Sequence, residues 1–139
     1  IEVPQLCELE KFSNVHHLVS TIRGTLRADS SPLEALRDCF PGGSITGAPK
    51  IQAMGVIAEL EPHARGPYCG AMGYIGFDGQ MDTNILIRTA VIKGRDVYFN
   101  AGGGIVADSA ADAEYNETLD KASGLIAALS DTPAGVRSA

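Results

Sequence analysis

Apolar and polar positions change their period several times along this chain, and each change marks an element. From Phe12 to Leu26, FSNVHHLVSTIRGTL alternates as a strand does, with Val15, His17, Val19 and Thr21 on one face and His16 on the other. Residues 1–11 carry no such pattern and are expected to form an extended lead-in. Ser31-Pro32-Leu33-Glu34 supplies a cap, a proline at the first helical position and a capping-box acid, predicting a short helix to about Phe40. The glycine-rich stretch Pro41–Lys50, PGGSITGAPK, leads into a helix that Pro49 opens and Glu61-Pro62 stops near Leu60. Cys69 to Phe77 reads as a strand whose glycines at 70, 73 and 76 imply a crowded or bent sheet. Asp78-Gly79 is a hairpin turn signal, Thr83 to Lys93 a second strand, and Lys93-Gly94-Arg95-Asp96 turns the chain into a third over Val97–Val106.

The last element is a long helix. Ser109 and Asp112 have capping-box spacing, so it is predicted to start at Ser109, and Tyr115, Leu119, Ala122, Ile126 and Leu129 define its buried stripe. Consecutive hairpins and segregated helices give an α+β class with antiparallel pairing. The predicted domain covers residues 1–129, and the patternless tail over 130–139 is expected to be disordered.

Glu114, Glu117 and Lys121 fall within roughly 60° of one another on that helix, away from the centre of the stripe. Two carboxylates one turn apart and an amine one turn later suit a divalent cation beside an anion. They equally suit a solvated face with an i,i+4 pair. Gly102, Gly103 and Gly104 precede the helix and let backbone N–H groups approach an anionic ligand; a bulge or tight bend is the alternative. The spacing excludes a dinucleotide fingerprint, and Ala48-Pro49-Lys50 breaks the order a phosphate loop needs. That leaves PGGSITGAPK as a helix start or as a loop over a polar ligand. Arg88, set among aliphatics in TNILIRTAVIK, either pairs with an acid or presents its fork to a substrate carboxylate.

Composition narrows the field. With 139 residues, 45% of them hydrophobic, the chain is expected to bury a core of its own. A net charge of −6 argues against a nucleic-acid or anionic-membrane partner. Three widely spaced cysteines, Cys7, Cys39 and Cys69, show neither a disulfide framework nor zinc spacing and suggest a reducing, cytoplasmic compartment. The opening residues look like mid-domain sequence, so a longer parent is expected.

FSNVHHLVSTIRG, FPGGSITGAPK, RGPYCGAMGYIGFDGQMDTNILIRT and GGGIVADSAADAEYNETLDKA together resemble the C-terminal part of the chorismate-utilising enzymes. That family includes aminodeoxychorismate, anthranilate, isochorismate and salicylate synthases. Gly-Gly-Ser-Ile-Thr before Gly-Ala-Pro-Lys looks most like aminodeoxychorismate synthase component I. The resemblance implies part of two antiparallel sheets packed together and flanked by helices. It also implies Mg²⁺-dependent replacement of the C4 hydroxyl of chorismate by ammonia from a glutamine amidotransferase subunit, on the route to p-aminobenzoate and folate. Carried onto this chain, Glu117 and Glu114 match Mg²⁺-binding glutamates, and Lys121, Arg88 and the Gly103–Gly104 backbone match groups that hold substrate carboxylates. Tyr68 and Thr46 match further pocket residues, and His17 matches a histidine close to the substrate.

The family's chains are far longer. The earlier motif with the lysine nucleophile and the segment with the other metal-binding glutamate are absent here, and Lys50 belongs to a different motif. This chain alone is therefore expected to be inactive and to self-associate through exposed sheet edges and apolar surface. The alternatives kept open are anthranilate synthase component I and a non-catalytic ligand-binding module of the same fold.

Overall fold

A computed structural model describes residues 1–12 and 16–130. The chain divides into two compact units, Ile1–Leu36 and Arg37–Ala139. Val15 and the tail 131–139 lie outside the described residues, while Ser130 is the last residue of a helix.

The first unit is a hairpin followed by the start of a helix. Strands β1 (Glu2–Lys11) and β2 (His16–Arg23) pair antiparallel, with Glu10 opposite His17 and Glu2 opposite Arg23. The expected lead-in is thus a paired strand. Its pattern is obscured by two register shifts, near Cys7, whose left-handed φ of 51° turns its N–H to the Ser20 hydroxyl at 3.0 Å. In β2, His17, Val19 and Thr21 are half-buried and their neighbours exposed, as the alternation requires. Helix α1 (Pro32–Cys39) opens on the expected capping box: the Ser31 N–H donates to Glu34 Oε2 at 2.8 Å and the Glu34 N–H to Ser31 Oγ at 3.2 Å.

In the second unit a short helix, α2 (Gly43–Thr46), occupies the glycine-rich stretch, and α3 (Lys50–Leu60) follows with Pro49 as its N-cap. Lys50 is committed locally, since its Nζ donates to the Cys39 and Phe40 carbonyls at 3.2 and 3.3 Å. Strands β3 (Ala71–Ile75) and β4 (Met81–Ile85) form a hairpin around Asp78-Gly79, where Gly79 takes a φ of 83°. Backbone bonds between Leu86 and both Cys69 and Gly70 carry that pairing two residues further.

The expected single strand Thr83–Lys93 is two strands. β4 ends at Ile85 and β5 (Ala90–Lys93) starts afresh, because Arg88 takes a φ of 51° between them and Thr89 Oγ1 folds back onto the Ile87 carbonyl at 2.9 Å. β5 pairs with β6 (Asp96–Phe99), which is shorter than Val97–Val106; residues 100–106 form no strand. Three consecutive glycines offer no side chains to a pleated surface. The last helix, α4, runs Ala111–Ser130 and so begins two residues later than expected.

Among the described residues only Cys69 and Ala122 are buried. The helix stripe is therefore apolar but uncovered: Tyr115, Leu119, Ile126 and Leu129 are 65, 47, 49 and 42% exposed. The chain exposes 11676 Å². A self-contained protein of this mass exposes roughly 6,900 Å². On α4 the less exposed positions are Glu114, Thr118, Lys121, Ala122 and Leu125, of which only Ala122 belongs to the predicted stripe, and the expectation of a core supplied by this chain alone fails.

Candidate functional site

The chain between β6 and α4 is folded by its own short-range bonds. The Ser109 N–H donates to the Val106 carbonyl at 3.1 Å, and the Val106 N–H donates to Ser109 Oγ at 3.0 Å. Ser109 does not pair with Asp112 as a capping box; its hydroxyl instead donates to Glu114 Oε1 at 2.5 Å. That bond fixes the Glu114 carboxylate one turn into the helix.

The other oxygen, Glu114 Oε2, is buried and has no hydrogen-bond partner. It faces Gly103: a methyl group there would stand 2.9 Å from Glu114 Oε2 and 3.8 Å from Glu117 Oε1. A side chain at position 103 would displace the Glu114 carboxylate, while Glu117 would stay at ordinary contact distance. Lys121 Nζ lies 2.5 Å from Glu117 Oε1, as the i,i+4 spacing anticipates. Two carboxylates and one ammonium leave a net negative charge. An unpartnered buried acceptor costs about 1–3 kcal/mol, so the cluster favours a cation or a donor beside Glu114.

A hard divalent cation fits this donor set through the orphaned oxygen and the carboxylate pair. The set is incomplete, because the described residues contain no group of three or more His, Cys, Asp or Glu side chains able to hold a metal.

Tyr68 extends the cluster. Its hydroxyl would lie 3.2 Å from a methyl group at Gly102, so the phenol abuts the start of the triple-glycine turn. Burial pushes its pKa above the ordinary 10, keeping it protonated at neutral pH. Gly104 has open space where a side chain would be. Tyr68, Gly102, Gly103, Glu114, Glu117 and Lys121 thus form one continuous strip.

Three other residues singled out in the sequence stand apart from that strip. Arg88 is exposed and makes no hydrogen bond or ion pair among the described residues. Thr46 closes α2 and lines a cavity of about 400 Å³ between α3 and the following loop, with Pro41, Met54, Ile57, Arg65 and Cys69 on its wall. His17 belongs to the first unit and meets Phe12 edge-on, with ring centroids 5.8 Å apart. Two residues escaped the sequence reading, Glu61 and Arg65. Their spacing is that of a helical ion pair, but Pro62 ends the helix between them and hides the signal.

A carboxylate pair beside a glycine turn thus sits on an α+β scaffold of hairpins. The model of the chorismate binding enzymes matches residues 1–127, and the chain belongs to that family. Two kinds of relative stand equally near. Anthranilate synthase component 1 of Geobacillus stearothermophilus is 54% identical over 129 residues, 93% of this chain and 25% of that protein. Aminodeoxychorismate synthase component 1 of Salmonella typhimurium is 54% identical over 121 residues, 87% of this chain and 27% of that protein. The crystal structure of anthranilate synthase component I from Streptococcus pneumoniae superposes with a TM-score of 0.83 at 44% identity, covering 89% of this chain and 28% of that one. The chain therefore spans about a quarter of the length of the relatives it matches.

Proposed function

We propose that this chain forms the C-terminal part of a component I enzyme acting on chorismate, most like aminodeoxychorismate synthase. The observation that carries the proposal is the buried, unpartnered Glu114 oxygen facing Gly103 beside Glu117 and Lys121. Chorismate is a dicarboxylate, and an acidic chain must supply local positive charge and free N–H groups to hold it. Lys121 supplies the charge and the Gly103–Gly104 backbone the donors, with the Tyr68 hydroxyl at the turn's start. Glu114 and Glu117 would hold Mg²⁺ together with carboxylates from the remaining three quarters of the fold. Bound there, the metal would neutralise a substrate carboxylate and stabilise charge as the C4 hydroxyl departs.

On this reading Arg88 and Thr46 meet the substrate only when the rest of the fold orders their surroundings, and His17 keeps the role that the family resemblance gives it. The product is 4-amino-4-deoxychorismate, a precursor of p-aminobenzoate and folate, with ammonia delivered by a glutamine amidotransferase component. Three free thiols support a cytoplasmic setting. The reaction would be classed with transferases and lyases acting on chorismate.

A second reading is anthranilate synthase component I, which also eliminates pyruvate and feeds tryptophan synthesis. The Geobacillus relative favours it as strongly as the Salmonella relative favours the first. Incubating the full-length protein with chorismate, Mg²⁺ and ammonia, and identifying the product by chromatography and mass spectrometry, separates them. Aminated chorismate that retains its enolpyruvyl group supports the first reading. Anthranilate with pyruvate supports the second, and no conversion sinks both.

A further inference from the structure

Glu61, Arg65 and Tyr68 form a chain of contacts that ends at the candidate site. Pro62 halts α3, yet the Glu61 N–H still donates to the Ile57 carbonyl at 3.0 Å, so Glu61 is held against the last helical turn. Arg65 meets it with two parallel bonds, Nε to Oε2 at 2.8 Å and Nη2 to Oε1 at 2.6 Å. The Arg65 carbonyl accepts from the Tyr68 N–H at 3.1 Å and from Asn100 Nδ2 at 3.4 Å, tying the loop to the strand end that leads into the glycines. The guanidinium carbon sits 5.5 Å from the centre of the Tyr68 ring, and the hydroxyl of that ring abuts Gly102.

We infer that Glu61 and Arg65 are positioning residues whose ion pair, stacked on the Tyr68 ring, holds the phenol hydroxyl against the glycine turn to donate to a substrate carboxylate. This rests on the reading that the turn binds chorismate. A plain surface ion pair contributes only about 0–1 kcal/mol. Here, however, the guanidinium side chain is 25% exposed, is bonded bidentately and lies over an aromatic face, which are the conditions in which arginine orders a neighbour. The Arg65 hydrogen bonds also hold the Glu61 carboxyl below its ordinary pKa, and the carboxylate raises that of Arg65. The pair therefore persists from neutral pH down to the lowered Glu61 pKa.

Two measurements on the full-length protein test this. In the first, tetranitromethane nitration of Tyr68 is mapped by peptide mass spectrometry, its rate in each folded protein being divided by its rate in the same protein unfolded in urea. Tyr68 is expected to react more slowly folded than unfolded. Arg65→Met and Glu61→Gln should each raise its relative rate severalfold, and Arg65→Lys should raise it less. An unchanged Tyr68 rate in both variants overturns the inference, and this arm needs no enzymatic activity.

The second measurement is a double-mutant cycle in the kinetic constants. Arg65→Met is expected to raise KM for chorismate about 10-fold with kcat nearly unchanged. In a Tyr68→Phe background the same substitution should add less than about 2-fold, because the hydroxyl it positions is gone. Penalties that multiply would mean that Arg65 acts elsewhere, which overturns the inference. A wild-type protein inactive on chorismate counts against the proposed function, while the nitration result still decides whether Arg65 holds Tyr68.

Discussion

The head of α4 and the joint between β4 and β5 carry the charged groups expected to meet an anion, yet the chain treats them in opposite ways. At the head of α4 the side-chain bonds are short-range: Ser109 holds Glu114, and Lys121 meets Glu117 one turn on, beside the gap that Gly103 leaves. At the joint, Arg88 is exposed on a left-handed backbone at φ 51° and bonds to no described residue. The difference follows sequence separation. Contacts within about two helical turns assemble with the helix itself, whereas an arginine between strands needs neighbouring sheet to orient it. The apolar face of α4 tells the same story, since four of its five stripe residues remain uncovered.

The sharpest way to break this comparison is to remove a carboxylate proposed to hold the metal. In the full-length protein, Glu117→Gln is expected to lower Mg²⁺-supported turnover on the order of 10²-fold at limiting Mg²⁺. Stability should change by less than about 0.5 kcal/mol, since Glu117 is exposed on α4. Wild-type activity at limiting Mg²⁺ would return Glu117 to the solvated helix face. A smaller effect is expected of Gly103→Ala. Its methyl group would press on Glu114 Oε2 from 2.9 Å. About a 10-fold loss of apparent Mg²⁺ affinity should follow, conformational adjustment of one carboxylate being the cost. Calorimetric Mg²⁺ titration of the two proteins measures it.

The smallest effect separates the two regions by sign. Arg88→Gly relieves a left-handed residue but adds unfolded-state entropy, and should stabilise the full-length protein by about 0.5 kcal/mol in denaturant melts. The same substitution should raise KM for chorismate in the full-length protein. A variant destabilised on melting would show that Arg88 makes contacts that hold the joint together.

Legibility in the sequence follows the same division. The Ser31–Glu34 box, the Asp78-Gly79 turn and the Glu114, Glu117 and Lys121 face were readable because each depends on residues within seven of one another. The break at Arg88 was not, since TNILIRTAVIK favours a strand throughout and a left-handed arginine leaves no compositional mark. Ser109 was read as a cap for α4, whereas its hydroxyl is spent on Glu114 and Val106. The periodic stripe of α4 identified an apolar face but not what covers it, and so the expected core was misjudged. Family membership was legible because four long motifs carry it; the choice between two products was not, since relatives of both kinds are 54% identical.

The central claim is that this chain assembles the local half of a chorismate site and depends on further fold for the rest. The most direct test is to incubate the purified 139-residue chain with chorismate, ammonia and Mg²⁺, following product by chromatography and size by light scattering. The account predicts no product and an associated species larger than the 14.5 kDa monomer, its exposed apolar faces covered by other copies. Sustained turnover by a well-behaved monomer would contradict it and would require a nucleophile and a third metal ligand elsewhere on this chain.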